Sequence, residues 1–279
     1  MLDEMLTRID YHGALSVHAD TLKALHRAWR RAVPYENLDI QLGRPIRLDG
    51  EAVFDKFVRR GRGGYCYEQN AALAMLLRAA GFRVTVVEGA VLRESRGEAM
   101  WGNHCALLVD VGDERWLADA GIGDGFLEPL PLREGPHVQS DQEYRLERLD
   151  PDTWRFHHRP GATIASYDFR LEPREITDFA EHSDRLSSSP ESAYVTTLMA
   201  ARPVSRHTHL LLSRTVRVLG SDSAPSQIAN SDDFAAILRD TFLIALGDLG
   251  PGAVERLWEA AGSQHDLWRS RAAREAERG

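Results

Sequence analysis

The stretch Arg62-Gly63-Gly64-Tyr65-Cys66-Tyr67-Glu68-Gln69-Asn70 runs from a glycine turn into a helix. Leu73, Leu76, Leu77 and Ala80 follow at i, i+3, i+4 and i+7, and Gly81 is a natural stop. The spacing therefore predicts a helix with Cys66 at or near its N-terminus. Unpaired backbone N–H groups and the positive end of the helix dipole favour a thiolate there. That is a setting for a nucleophile, and a nucleophile also needs a base and a group that orients the base.

Upstream of this stretch the chain reads helical. Ser16 can cap a segment carrying Leu22, Leu25 and Trp29 on one stripe, ending before Pro34. A second helix is expected over residues 50–60, with Val53, Phe54, Phe57 and Val58 as its apolar positions. Downstream the pattern changes to short runs rich in Val, Leu and aromatics, separated by Gly, Asp and Pro. Residues 83–92, 104–111, 115–119, 143–149, 153–157 and 166–172 read as strands of an antiparallel sheet or barrel. Ser187-Ser188-Ser189-Pro190 marks a boundary. After it come a strand-like run over 210–219, helical patterns over 232–246 and from 251 onward, and an Arg/Glu-rich helical tail over 269–278. The fold class is α+β.

The 279 residues, 43% of them hydrophobic, suffice for a large core and more than one domain. The formal net charge of −8, with no long basic block, argues against nucleic acid as a partner. The two cysteines, Cys66 and Cys105, make no disulfide framework, and neither stands in a C-x-x-C pair, so no metal site is expected. Residues 1–13 carry acidic side chains and no apolar signal-like core, and no apolar run is long enough to span a bilayer. A soluble, cytoplasmic protein is expected.

The base is found by register. His104 opens the strand-like run His104-Cys105-Ala106-Leu107-Leu108-Val109-Asp110-Val111. Gly112-Asp113 suits a two-residue hairpin turn, with Gly first as type II′ prefers. That loop pairs Val111 with Glu114 and places Asp119 opposite Ala106, on the face His104 shares. His104 and Asp119 become diagonal neighbours. A three-residue loop would put Asp119 on the opposite face. The same alternation turns Cys105 away, into the core. On this pattern alone Cys66 is also compatible with a packed thiol, His104 with a satisfied strand histidine and Asp119 with a turn residue. Asp110, Asp113 and Asp124 compete for the orienting role.

These residues together resemble the arylamine N-acetyltransferase family. Its nucleophile motif Arg-Gly-Gly-x-Cys is matched by Arg62 to Cys66, followed by Glu68-x-Asn70. Its Pro-Phe-Glu-Asn-Leu motif is similar to Pro34-Tyr35-Glu36-Asn37-Leu38, and its Asp-x-Gly-Phe-Gly turn to Asp119-Ala120-Gly121-Ile122-Gly123. Ser189-Pro190-Glu191-Ser192-Ala193-Tyr194 looks like the family's entry to its last domain. The resemblance covers most of residues 1–220. It implies a helical bundle over 1–82 carrying the nucleophile, a central antiparallel β-barrel over 83–189 carrying His and Asp, and a C-terminal α/β lid over 190–279.

The resemblance also implies a Cys66–His104–Asp119 triad used for acyl transfer. The donor it implies is acetyl-coenzyme A or another acyl-coenzyme A, as co-substrate rather than bound cofactor. The acceptor is an arylamine, hydrazine or hydroxylamine, and the kinetics are ping-pong. Tyr35 and Ile122 match positions that line the family's acceptor pocket, and both depart from its usual phenylalanine. Backbone N–H groups at Cys66 and near Asn103 are candidate oxyanion donors. Arg62 is expected to hold the turn by pairing with Glu36 or bonding Asn37, with Glu68 and Asn70 supporting the helix start. Arg59, Arg60 and Arg62 form a basic rim, read as a solvated face or as a seat for coenzyme phosphates. An amide synthase of the same fold, loaded from a carrier protein, is the runner-up. A cysteine protease or transglutaminase is the more distant rival.

Overall fold

The computed structural model describes residues 1–276. Helices α1 (Leu2–Arg8) and α2 (Ala19–Ala32) lead into a two-residue strand, β1 (Tyr35–Glu36), and then α3 (Leu38–Gln41) and α4 (Gly50–Phe54). A π-helical turn, Asp55–Arg59, extends α4, and α5 (Cys66–Ala79) follows. The strands β2 (Arg83–Val91), β3 (His104–Val111), β4 (Glu114–Ala118), β5 (Leu130–Pro131), β6 (Gly135–Gln139), β7 (Gln142–Arg148), β8 (Thr153–His157) and β9 (Ser166–Arg174) come next, with α6 (Arg93–Arg96) between β2 and β3. The last third holds α7 (Ala180–Ser188), α8 (Ala193–Thr196), the strands β10 (Met199–Val204), β11 (His207–Leu212), β12 (Thr215–Leu219) and β13 (Ser226–Gln227), and helices α9 (Ser231–Ala236) and α10 (Ala253–Ala276).

Strands β2 to β9 form one antiparallel sheet in the order β5-β4-β3-β2-β9-β8-β7-β6. Its edges, β5 and β6, are consecutive in the chain, and the sheet curls into a nearly closed barrel. Alternation along β3 sorts the core. Cys105, Leu107 and Val109 face the helices, in a cluster with Trp29, Phe57 and Leu73. Ala106 and Leu108 face the barrel interior with Phe126, Tyr144, Phe156 and Phe169. A third cluster, around Leu211, Phe234, Leu238 and Leu257, unites the last sheet with α9 and α10. That sheet runs β1-β10-β11-β12-β13, so β1 joins the early chain to the late one. Tyr35 pairs with Ala201 on one side and bridges Gly64 on the other.

Several local expectations are corrected. The side chain that caps α2 is that of His18, which accepts the Asp20 N–H; the Ser16 hydroxyl meets Thr21 instead. The single strand expected over 210–219 is a hairpin, turned at Ser213 with φ +51°. The helical run expected over 232–246 is α9 plus a π turn, Ile237–Thr241, after which Leu243 leaves the helical region at φ +57°. The tail expected over 269–278 continues α10 to Ala276, and its last two residues lie outside the described residues.

Candidate active site

Cys66 begins α5, and the turn before it is fixed by close contact and by buried charge. A Cβ on Gly63 would lie 1.9 Å from the Pro34 carbonyl oxygen, so the backbone reaches that position only as glycine. Arg62 is 0% exposed, and its guanidinium grips Glu36 Oε1 through Nη2 at 2.8 Å and Nε at 3.0 Å. Glu36 also accepts the backbone N–H of Gly63 at 3.2 Å and of Leu38 at 2.7 Å. Glu68 accepts the Tyr65 N–H at 3.3 Å and pairs with Lys56 at 2.7 Å. Every charge in this cluster has a partner, which buried ions require.

The β3–β4 hairpin has the register the sequence predicts. Val111 pairs with Glu114 and Leu107 with Ala118, while Gly112 turns at φ +59°. His104 Nε2 and Asp119 Oδ2 are 2.9 Å apart, each side chain 1% exposed. Asn70, one turn into α5, fastens the carboxylate: its Nδ2 donates to Asp119 Oδ1 at 2.8 Å, and its Oδ1 accepts the Ala120 N–H at 2.9 Å. The Gly121 N–H donates to Asp119 Oδ1 at 2.7 Å. Burial alone would raise the Asp119 carboxyl, but the charge and hydrogen bond of His104, with those of Asn70 and Gly121, hold it below the usual carboxylate value. Of the competing aspartates, Asp110 is engaged with Arg115 and Asp124 with Thr163, and Asp113 is exposed in the hairpin turn.

Gly121 joins the two halves. A Cβ there would lie 2.9 Å from His104 Cε1 and 3.0 Å from Cys66 Cα, so ring and helix start close on the same glycine. Burial pushes the Cys66 thiol up; a hydrogen bond with Tyr194 and the backbone N–H of Tyr67 draw it back, and the negative charges of Asp119 and Glu68 push it further up. A cavity of about 850 Å³ opens beside these groups, lined by His104, Gly121, Ile122, Tyr35, Tyr194 and Asn103 among others. Among the described residues no cluster of three or more His, Cys, Asp or Glu stands ready to hold a metal.

A profile of the N-acetyltransferase family matches residues 18–249. The Mycolicibacterium smegmatis arylamine N-acetyltransferase is 35% identical over 254 residues, 88% of this chain and 92% of that protein. The chain belongs to the arylamine N-acetyltransferase family. The Salmonella typhimurium arylamine N-acetyltransferase superposes with a TM-score of 0.85 at 27% identity, covering 94% of this chain and 98% of its own. The Mycobacterium marinum arylamine N-acetyltransferase, solved in complex with CoA, gives 0.84 at 29% identity with the same two coverages. The protein is accordingly an acyltransferase, and the fold of a helical N-terminus, barrel and lid is that of these arylamine N-acetyltransferases.

Against that family the individual residues sort clearly. Arg62 pairs with Glu36, while the Asn37 side chain bonds Tyr194 O and Thr197 O, both at 2.8 Å, and the Met199 N–H. The alternative of an Arg62–Asn37 bond is therefore replaced by a clasp on the late chain. The Asn103 N–H is engaged by Met100 O at 3.2 Å, and its side chain clips the Val91 backbone. The basic rim is not at the cavity: Arg59 and Arg60 pair with Asp55, and Arg62 is buried. Arg96, Arg185 and Arg217 line the cavity instead. One support went unread. His26 of α2 donates from Nδ1 to Leu127 O at 2.8 Å and accepts the Asp119 N–H on Nε2 at 3.2 Å. It stays neutral because burial lowers its pKa to about 4. A histidine on a helix stripe carries no sequence signal for a partner 93 residues away.

Proposed function

We propose that the chain moves an acetyl group from acetyl-coenzyme A, through a thioester on Cys66, to an arylamine, hydrazine or hydroxylamine. The observation that carries the reading is the His104–Asp119 pair meeting the Cys66 helix start across Gly121. Asp119 engages Nε2, which leaves Nδ1 of His104 to take the thiol proton. The thiolate attacks the donor carbonyl, its carbon–sulfur bond forms, and the coenzyme thiolate leaves with the proton from His104. The amine then attacks the acyl-cysteine, again with His104 as base, and Cys66 is regenerated. His104 takes the Cys66 proton, giving a thiolate–imidazolium pair whose sulfur is the attacking atom.

The oxyanion falls to the backbone N–H of Cys66 at the helix start, since the Asn103 N–H is already engaged. Tyr35 and Ile122 shape the acceptor end of the cavity, where an aliphatic wall at Ile122 replaces ring stacking. Arg62, Glu36, Asn37 and Glu68 hold the scaffold and touch no substrate. A barrel of this kind also serves an amide synthase, and substitution of a carrier-bound acyl chain for the coenzyme donor is the reading against which the test runs.

The test is intact-mass measurement after incubation with acetyl-coenzyme A. The expected result is one acetyl adduct on wild type, removed by an arylamine and absent in Cys66→Ser. An undiminished adduct in Cys66→Ser, or none on wild type, overturns the thioester reading for this donor.

A further inference from the structure

We propose that Arg30 is a positioning residue for the acceptor half of the reaction, its guanidinium setting the cavity wall that runs from Ile122 to Thr163. The proposal rests on acyl transfer through Cys66 and concerns where the amine sits. The segment from Asp119 to Leu127 lies between β4 and β5 and belongs to neither. Side chains of α2 satisfy much of its backbone instead. Arg30 Nη1 donates to Ala120 O at 3.1 Å, and Nη2 donates to Gly123 O at 3.0 Å and Gly125 O at 3.3 Å. One helical turn earlier, His26 accepts the Asp119 N–H and donates to Leu127 O. Arg30 is buried, and its hydrogen-bond partners are all carbonyls. A guanidinium makes such charge-assisted bonds in a fixed fork, which a lysine cannot copy.

The two ends of the segment are held differently. At the Asp119 end the Arg30 bond is one tie among several. Asn70 bonds the Asp119 carboxylate and the Ala120 N–H, and His26 accepts the Asp119 N–H. From Ile122 to Gly125 the backbone has one bond within the turn, Gly125 N–H to Ile122 O at 3.0 Å. Its ties from outside the turn are the two bonds of Arg30 Nη2.

That far end is cavity wall. Ile122, Gly123 and Asp124 line the cavity, as do Gly161 to Ile164 of the loop between β8 and β9. Asp124 joins the two stretches. Its Oδ2 accepts the Thr163 N–H at 2.9 Å, and its Oδ1 accepts the Thr163 hydroxyl at 2.5 Å. On the other side the turn meets β10, where a Cβ on Gly123 would lie 2.8 Å from Ala201 Cβ. A shift of the Gly123 and Gly125 carbonyls therefore moves Ile122 and Asp124, and through Asp124 the β8–β9 loop. Asp119 meanwhile stays on Asn70. Acylation needs the His104–Asp119 pair, whereas amine attack needs the wall, so the two half-reactions should separate.

The test measures each half in Arg30→Met and Arg30→Lys. The acetyl burst from acetyl-coenzyme A, read by intact mass, should stay close to that of wild type. With para-anisidine as the arylamine probe, KM should rise about tenfold in Arg30→Met. With hydrazine, too small to reach the wall, KM should stay close to that of wild type. Arg30→Lys keeps the charge with poorer geometry and should fall between Arg30→Met and wild type. A merely structural Arg30 would lower the burst and both acceptors together. Calorimetric titration of para-anisidine into Cys66→Ser, with and without Arg30→Met, reads the wall without a thioester, and the second variant should bind about tenfold more weakly. A burst that falls in step with para-anisidine turnover, or para-anisidine binding that does not change, overturns the proposal. An absent burst in wild type overturns the thioester reading, and the titration then decides the role of Arg30. Thermal melting shows that each variant is folded; if Arg30→Met is not, Arg30→Lys carries the same comparisons.

Discussion

Three donors converge on the Asp119 carboxylate: His104 Nε2 on Oδ2, and Asn70 Nδ2 with the Gly121 N–H on Oδ1. That division of labour decides what Asp119→Asn would do. The amide oxygen must face Asn70 and Gly121, which only donate. The amide nitrogen then faces His104 and forces Nε2 to accept, which places the imidazole proton on Nδ1. A ring in that tautomer cannot take the Cys66 proton. Acetylation of the protein in a single-turnover burst should fall roughly 10³–10⁴-fold, while the melting temperature stays close to that of wild type. A burst of normal size would show that another carboxylate orients His104. This pair was legible because a two-residue turn fixes parity: once Gly112-Asp113 is the turn, Asp119 must share a face with His104. The support from His26 was not, nor were the partners that Asn37 finds on the late chain, since each depends on a contact far along the chain that leaves no periodicity behind.

At the scale of elements, the glycine turn and α5 act as one unit. Gly63 lies against the Pro34 carbonyl, Arg62 and Glu36 close the turn from beneath, and Glu68 caps the helix start. Gly63→Ala must push its Cβ through the Pro34 carbonyl, at a cost of roughly 3 kcal/mol or more from overpacking. The melting temperature should drop by roughly 6–12 °C. A variant that melts with wild type would mean that the turn relaxes freely. The helices of this region and strands β2, β3, β4, β7, β8 and β9 follow from local patterning, because each carries its own apolar period. The sheet β1-β10-β11 does not. β1 is two residues long, β10 contains Pro203, and the turn at Ser213 adopts positive φ without glycine. Those strands owe their pairing to tertiary contact, and they are the ones that bring Tyr35 to the site.

For the whole molecule, two buried histidines set the acid limit. Burial lowers His26 to about 4 and His158 to about 4, against an ordinary value of 6.5. Between pH 6.5 and 4 the unfolded chain therefore binds protons that the fold excludes. Stability is whole above that window and falls as pH falls through it. The loss amounts to roughly 3 kcal/mol per histidine at the acid end, enough to threaten an ordinary domain. Asp119 adds to the loss only lower still, because its folded pKa is depressed and its contribution persists until the carboxylate protonates. Urea midpoints taken from pH 7 to pH 4.5 should fall steadily, well before ordinary carboxylates titrate. A flat profile over that range would mean that both histidines take up protons without disturbing the fold. The His26 share also bears on the site. Its Nε2 accepts the Asp119 N–H, so a proton on that nitrogen removes the acceptor and frees the backbone that presents the carboxylate to His104. Through this contact the folded protein should lose acylation as the pH falls toward 4, at the acid end of the window over which stability declines.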